Sequence, residues 1–418
     1  MRLQGWARVV LVCALALWGA REGAAARTTI TYWYFDVTEL TEAFIKEAVA
    51  AFNESQSAIY VEAIRQSGNM YDQTLTAIAG GAAPDVIYFE RSAVIEWVAG
   101  RGRIFEPLDR YLSEELRAPD AFLPFAREEI EYEGQIWALP FGTDVRGLIW
   151  NMDHLDEAGL DASRAPATLD ELVSYALRLT KQSPDGEIAQ LGFAPWLGNW
   201  RLQGWFWAFG GGVFDREQRM PTIDIEANRQ AVHWVQDFAQ RLGAAAVRFP
   251  AGIGPFTAGQ LSMSIEANVT YELARRTAPD LRIGVGAVPH APGGRNGTWS
   301  GGYAHVIPAG AKHVAEAAAF LNFLNSPAMQ VRQFEVTGGL PTGTAAFFEV
   351  LRRPHEDGSL AFLEQLPVSN GRPPLWLAVH LALGDAMNAV IHMQKSPEQV
   401  LAEVQQHMEQ QFAEVLGW

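Results

Sequence analysis

Thr28-Thr29-Ile30-Thr31-Tyr32-Trp33-Tyr34-Phe35, running into Asp36 and then a long periodic segment, is the stretch on which the fold turns. Threonine, isoleucine and aromatic side chains in alternation read as a strand. Asp36 is placed to cap a helix, with Glu39 three residues on as in a capping box. Leu40, Phe44, Ala48, Ala51 and Phe52 then recur on one face at helical spacing. The unit repeats downstream. A strand is expected over 59–64, and a helix from Asn69 with Tyr71, Leu75, Ile78 and Ala79 inward, stopped by Gly80-Gly81. Pro84-Asp85 opens the apolar strand Val86-Ile87-Tyr88-Phe89, and a further helix starts near Ser92. This β-α-β-α-β-α order predicts an open parallel sheet covered by helices.

The β-α alternation fades after residue 100. Trp137-Ala138-Leu139-Pro140 and Arg146-Gly147-Leu148-Ile149-Trp150-Asn151 read as short strands around a polar turn, and residues 168–241 are helix-rich. Residues 196–214 hold Trp196, Trp200, Trp205 and Trp207 and the triple glycine Gly210-Gly211-Gly212. Strands recur over 261–265, 283–288 and 304–307, with a Gly/Pro-rich crossing segment at 289–302. Ser396-Pro397-Glu398-Gln399 reads as a capping box with proline at N1 of a last helix.

Residues 1–26 carry the order of a secretory signal peptide. Arg2 and Arg8 precede an apolar run over 9–18, and Gly23-Ala24-Ala25-Ala26 supplies a cleavage site. The run is shorter than the roughly 20 residues a spanning helix needs. The single cysteine, Cys13, lies inside it, so it reads as filler of the apolar run rather than a lipidation site, and the exported chain has no thiol for a disulfide. Three arginines and one glutamate leave with that segment, moving the net charge from −16 to −18. Such acidity argues against nucleic acid and anionic membranes as partners. The nine histidines are scattered without metal-ligand spacing. The remaining length exceeds one ordinary core, so two lobes are expected. Nucleophile-elbow, S-x-x-K, H-E-x-x-H, P-loop and dinucleotide motifs are missing, which leaves no cofactor expected and a carboxylate-pair glycosidase as the enzyme alternative.

Several segments in order resemble the extracytoplasmic carbohydrate-binding proteins of ABC importers, the maltose-binding-protein-like group. They are Ile30-Thr31-Tyr32-Trp33-Tyr34, Gly81-Ala82-Ala83-Pro84-Asp85-Val86, Tyr132-Glu133-Gly134-Gln135-Ile136-Trp137-Ala138-Leu139-Pro140, Leu148-Ile149-Trp150-Asn151, Phe256-Thr257-Ala258-Gly259-Gln260-Leu261-Ser262-Met263 and Gly338-Gly339-Leu340-Pro341. The resemblance implies an α/β, two-lobed periplasmic-binding-protein fold, each lobe an open sheet flanked by helices, joined by crossover hinge strands. It places the N-lobe at 27–142 plus 291–338 and the C-lobe at 143–290 plus 339–418. It further implies an extracytoplasmic, periplasmic monomer that binds a sugar and meets a membrane permease. Glycerol-3-phosphate or another phosphorylated polyol is the runner-up, for which Arg65, Arg146 and Arg372 are the available cations.

A sugar cleft mixes hydroxyl-binding polar groups with flat aromatic rings, and ligands of open α/β sheets sit at the carboxyl ends of strands. That rule selects Tyr34 and Asp36 after the first strand, Gln66 after the second and Glu90 after the third. Asp144 and Arg146 follow the Leu-Pro crossover. Trp200, in the loop Gly198-Asn199-Trp200, and Trp205 are the candidate stacking rings of the tryptophan cluster. Glu266 and Asn268 follow the Met263 strand. Trp299 offers a ring beside the exposed backbone of Gly301 and Gly302, and the resemblance adds Arg372 and Trp376 as residues that close over ligand.

Overall fold

The computed structural model describes residues 27–35, 37–102, 104–248, 254–355 and 357–418. The segment expected to be a signal peptide, with Cys13, lies outside them, as does Asp36. Eight strands build the two principal sheets: β1 (Thr28–Tyr34), β2 (Ile59–Arg65), β3 (Val86–Glu90), β4 (Leu139–Thr143), β5 (Arg146–Asn151), β6 (Met263–Ala267), β7 (Ile283–Gly286) and β8 (Gly302–Val306). The first sheet has the order β2-β1-β3-β8-β4, and the second β6-β5-β7. β1 runs parallel to β2 (Thr28 opposite Ile59) and to β3 (Tyr32 opposite Val86), as the β-α-β pattern predicts. β8 arrives from far down the chain and pairs antiparallel with β3, placing Tyr303 opposite Glu90.

The helices α1 (Glu39–Ser55), α2 (Met70–Ala79) and α3 (Ala93–Arg101) cover the first sheet, joined by two later helices over Val314–Leu324 and Pro327–Thr337. Phe44, Ile45, Ala48, Val49 and Phe52 of α1 are buried, the face the periodicity selects. The cap differs from expectation. α1 begins at Glu39, so Glu39 is its first residue and Thr38 is the N-cap, accepting from the Thr41 amide at 3.2 Å. Asn69 caps α2 as expected, accepting from the amides of Tyr71 (2.9 Å) and Asp72 (3.1 Å).

Downstream lie α4 (Leu202–Ala208), α5 (Glu226–Leu242), α6 (Asn268–Thr277), α7 (Val314–Leu324), α8 (Pro327–Thr337), α9 (Asp357–Gln365), α10 (Trp376–Ile391) and α11 (Pro397–Leu416). Ser396 and Gln399 form the reciprocal capping box at the start of α11. That helix packs on α5 and α10 and then reaches α3 of the first sheet. The approach there is close: a Cβ on Gly100 would lie 2.5 Å from the Val415 carbonyl oxygen.

Only Asp144 and Val145 separate β4 from β5, so the chain passes from one sheet to the other in two residues. Two more passes run beside it. Thr143 and Leu340 exchange backbone hydrogen bonds of 2.9 and 2.8 Å. The Thr298 hydroxyl accepts from the Arg146 amide (3.1 Å) and donates to its carbonyl (2.7 Å). Asn268 ties the pass at Val145 to the one leading into Leu340, accepting from the Val145 amide (3.1 Å) and donating to the Gly338 carbonyl (3.3 Å).

Candidate functional site

Polar side chains concentrate where these passes leave the first sheet. Glu90 ends β3, and its Oε1 accepts from Arg372 Nη1 at 2.6 Å and from the Ser92 hydroxyl at 3.1 Å. Arg372, from the segment before α10, also donates to Glu129 (Nη2 to Oε2, 3.0 Å) and to the Gly302 carbonyl (3.2 Å). Arg91 Nε donates to the same Glu129 Oε2 at 2.9 Å. Glu129 and Arg91 have fully buried side chains. Burial alone would raise the Glu129 carboxyl, but Arg372 and Arg91 reverse this and hold it below the ordinary carboxylate range. The same balance holds for Asp144. Burial raises it, and Arg146 together with the Gly301 amide brings it below its usual value. Its Oδ1 accepts from Arg146 Nη1 (2.5 Å) and from that amide (2.6 Å).

The aromatic side of the site adjoins this charge pair. The Arg146 guanidinium lies 3.4 Å from the centroid of the Trp299 ring. Trp376 meets Trp299 at 5.0 Å, and His380 meets Trp376 at 5.5 Å. Burial, reinforced by Arg201 and Arg146, pulls the His380 imidazole down to about 4, so it is neutral at ordinary pH. Glu266 is buried and pushed up by desolvation, against the opposing pull of Ser264 and Arg146. Its Oε1 accepts from the Ser264 hydroxyl at 2.6 Å. Two glycines are required here. A Cβ at Gly301 would lie 2.9 Å from Asp144 Oδ1, and Gly302 adopts φ +126° with its Cβ site 2.4 Å from the Gly142 carbonyl oxygen.

Glu90, Asp144, Arg146, Glu266, Trp299, Gly301, Gly302, Arg372 and Trp376 therefore meet in one region. Among the described residues, the other predicted positions have different roles. Trp200 is fully buried, with Gly204 and Gly297 making room for its ring, so it is a core side chain and not a stacking platform. Trp205 is likewise buried, its indole N–H donating to the Pro195 carbonyl at 2.9 Å while its ring packs on Trp234. The aromatic run in and just before this short apolar helix fills the hydrophobic core. Tyr34 is buried with its hydroxyl donating to Glu42 at 3.4 Å, which makes it a tie to α1. Asn268 is the crossover clamp described above. Gln66 is half-buried just past the end of β2, its backbone N–H donating to the Tyr34 carbonyl at 2.8 Å.

Arg91, Glu129, Arg201 and His380 escaped the sequence reading. Arg91 and Arg201 adjoin positions the strand-end and loop rules had selected. Glu129 sits in Arg127-Glu128-Glu129, which reads as a solvated run, and His380 lies inside a helix; neither carries a local signal. Among the described residues no cluster of three or more His, Cys, Asp or Glu could hold a metal ion. No helix among them is long and apolar enough to cross a membrane.

Two helix-flanked sheets, joined by short adjacent crossings with paired charges and rings between them, define a two-lobed solute-binding protein. The family model for bacterial extracellular solute-binding protein matches residues 37–331, and the chain belongs to that family. It is a binding protein, not an enzyme. The maltotriose-binding protein of Pyrococcus abyssi is 28% identical over 166 residues, which is 38% of this chain; the match spans only 32% of that relative's length. The sn-glycerol-3-phosphate-binding periplasmic protein of Agrobacterium fabrum is 28% identical over 253 residues, covering 58% of this chain and 57% of its own. Among solved structures, the cyclic alpha-maltosyl-1,6-maltose binding protein of Arthrobacter globiformis superposes with a TM-score of 0.76 at 19% identity, covering 92% of this chain and 98% of that one, a likeness of fold.

Proposed function

We propose that this chain is the extracytoplasmic receptor of an ABC importer, which captures a sugar or oligosaccharide between its lobes and delivers it to a membrane permease by hinge closure. The lobes are 27–142 plus 291–338 and 143–290 plus 339–418, and the chain works as a monomer exported to the periplasm through a signal peptide at 1–26. The observation that carries the reading is the pair Glu90 and Asp144. The hydrogen bonds that orient each fall on one carboxylate oxygen, and 24% of each side chain remains open to solvent. Preoriented carboxylates that solvent still reaches accept sugar hydroxyls well, and the half-buried Trp376 offers a ring for the C–H face. The relative named for maltotriose supports the same class of ligand.

A phosphorylated polyol finds less here. Each arginine that reading needs is already neutralised: Arg65 by Glu42 at 2.9 Å, Arg146 by Asp144, and Arg372 by Glu90 and Glu129. The test is a thermal-shift screen of residues 27–418 against mono-, di- and trisaccharides and glycerol-3-phosphate. A ligand at 100 times its Kd stabilises the native state by about 2.7 kcal/mol. A saccharide hit that Asp144→Asn weakens about tenfold or more is expected. Stabilisation by glycerol-3-phosphate alone would replace the sugar reading, and release of reducing ends from glycans would point to a glycosidase.

A further inference from the structure

A third arginine stands beside the paired ones. Arg201 immediately precedes α4 and is half-buried. Its Nη1 donates to the Trp200 carbonyl at 2.8 Å, and among the described residues no carboxylate lies within ion-pair distance of it. It lies beside the aromatic side of the site, because α4 packs against α10 and brings Gln203, two residues on, to the His380 ring, which contacts Trp376 and Trp299. The asymmetry is specific. Arg146 and Arg372 are held by acids of the same site, whereas Arg201 is desolvated with no opposing charge. His380 adds none: neutral, it sits with Nδ1 3.4 Å from Gln203 Nε2.

Partial burial of a cation without a counter-ion is unfavourable, and a guanidinium offers N–H donors in the fork that matches a carboxylate. Resting on the sugar reading above, we propose that Arg201 is a specificity residue for an acidic saccharide, one whose carboxylate pairs with the Arg201 guanidinium while its ring packs on Trp376. A phosphate or sulfate group is the less suited anion, since it favours several cations at once and the neighbouring arginines are occupied.

Calorimetry on residues 27–418 tests this with matched disaccharides that differ only in a uronic acid in place of a hexose, plus glycerol-3-phosphate. The acid form should bind about tenfold to a hundredfold more tightly than its neutral partner, the range of a charge-assisted hydrogen bond. Its affinity alone should weaken as salt is raised from low to physiological concentration. Arg201→Gln should abolish the preference for the acid form over the neutral sugar, with Arg201→Lys intermediate. Equal binding of the two sugars by the unaltered protein, or an acid preference that persists in Arg201→Gln, overturns the proposal while the sugar reading stands. Should the variant fold poorly, the salt dependence of the unaltered protein decides, and an acid-form affinity indifferent to salt counts against it. Binding of glycerol-3-phosphate in preference to every saccharide, or of no saccharide at all, removes both readings together.

Discussion

Replacing Glu129 with glutamine changes one buried atom type and leaves the shape alone. In the native protein, Glu129 Oε1 accepts from the Arg372 amide (2.7 Å) and Nε (3.3 Å), while Oε2 accepts from Arg91 Nε (2.9 Å) and Arg372 Nη2 (3.0 Å). Glutamine keeps one acceptor but turns an amide NH₂ toward two guanidinium donors, and it leaves Arg91, whose side chain is fully buried, without an acid. Removing one partner of a desolvated ion pair costs about 3–5 kcal/mol, because the remaining charge stays buried and unpaired. Glu90 still holds Arg372, so the lower half of that range is expected. A chain of this size has an unfolding entropy of about 0.8 kcal/mol per kelvin, which converts the cost into a fall in Tm of roughly 4–5 °C. Urea denaturation at pH 7 supplies the free energy directly. The pH dependence has a definite sign. Glu129 is depressed in the folded protein, so its contribution is complete above the unfolded carboxyl value of about 4.3 and fades as pH falls through the folded value. The gap between native and variant should therefore narrow in strong acid. Removing the pair together, as Arg91→Met with Glu129→Met, should cost less than Glu129→Gln alone, since no charge is orphaned. A Glu129→Gln cost under about 1 kcal/mol would refute the reasoning, showing that solvent already screens these charges.

His305 is buried and pulled down to about 3 by desolvation, with one ring nitrogen 2.9 Å from the Tyr32 hydroxyl. The unfolded imidazole takes its proton first near pH 6.5, so stability is lost as pH falls below that, at about 1.4 kcal/mol per pH unit. His305→Gln should shrink the stability loss between pH 7 and 5 by about 2 kcal/mol, measured by urea titration at both values; an unchanged loss would discount this histidine. Gly204→Ala should unfold or destabilise the protein by more than about 3 kcal/mol, because its Cβ would lie 2.1 Å from Trp200 Cε2; a soluble variant with unchanged near-UV circular dichroism would contradict the packing. Trp418 stacks on Tyr132 (6.0 Å) and Phe214 (5.9 Å) under the Arg219 guanidinium, joining the chain end to the segment before β4. Trp418→Ala is expected to cost about 1–3 kcal/mol and to widen the hinge in small-angle scattering, and no change in either would remove its role as a clasp.

Periodicity made the first sheet readable. Each strand from β1 to β3 is bounded by turn residues and followed by a helix whose apolar face needs that sheet, so local pattern and global packing agree. The Asn69 and Ser396 caps were legible for the same reason: a cap is a hydrogen bond within four residues. Where two caps compete within three residues, as Asp36 and Thr38 do, sequence chose the stronger capper and the chain chose the later start. The tryptophans show the opposite limit. Trp200 in a glycine-bearing loop looks like a stacking ring, and whether an indole faces ligand or core depends on Gly204 and on Gly297, which is 97 residues away.

By itself the sequence determined the β-α-β start, the amphipathic helices and the likeness to a solute-binding family, since these rest on spacing along the chain. Which charges are paired was decided by tertiary structure alone. Arg372 meets Glu90 across 282 positions and Glu129 across 243, and Gly301 meets Asp144 across 157. Pairing at such distances follows from how the crossings bring sheets together, and no local pattern encodes it. The same packing leaves Arg201 without an acid, because ion pairing acts over a few ångströms of space and is indifferent to separation along the chain.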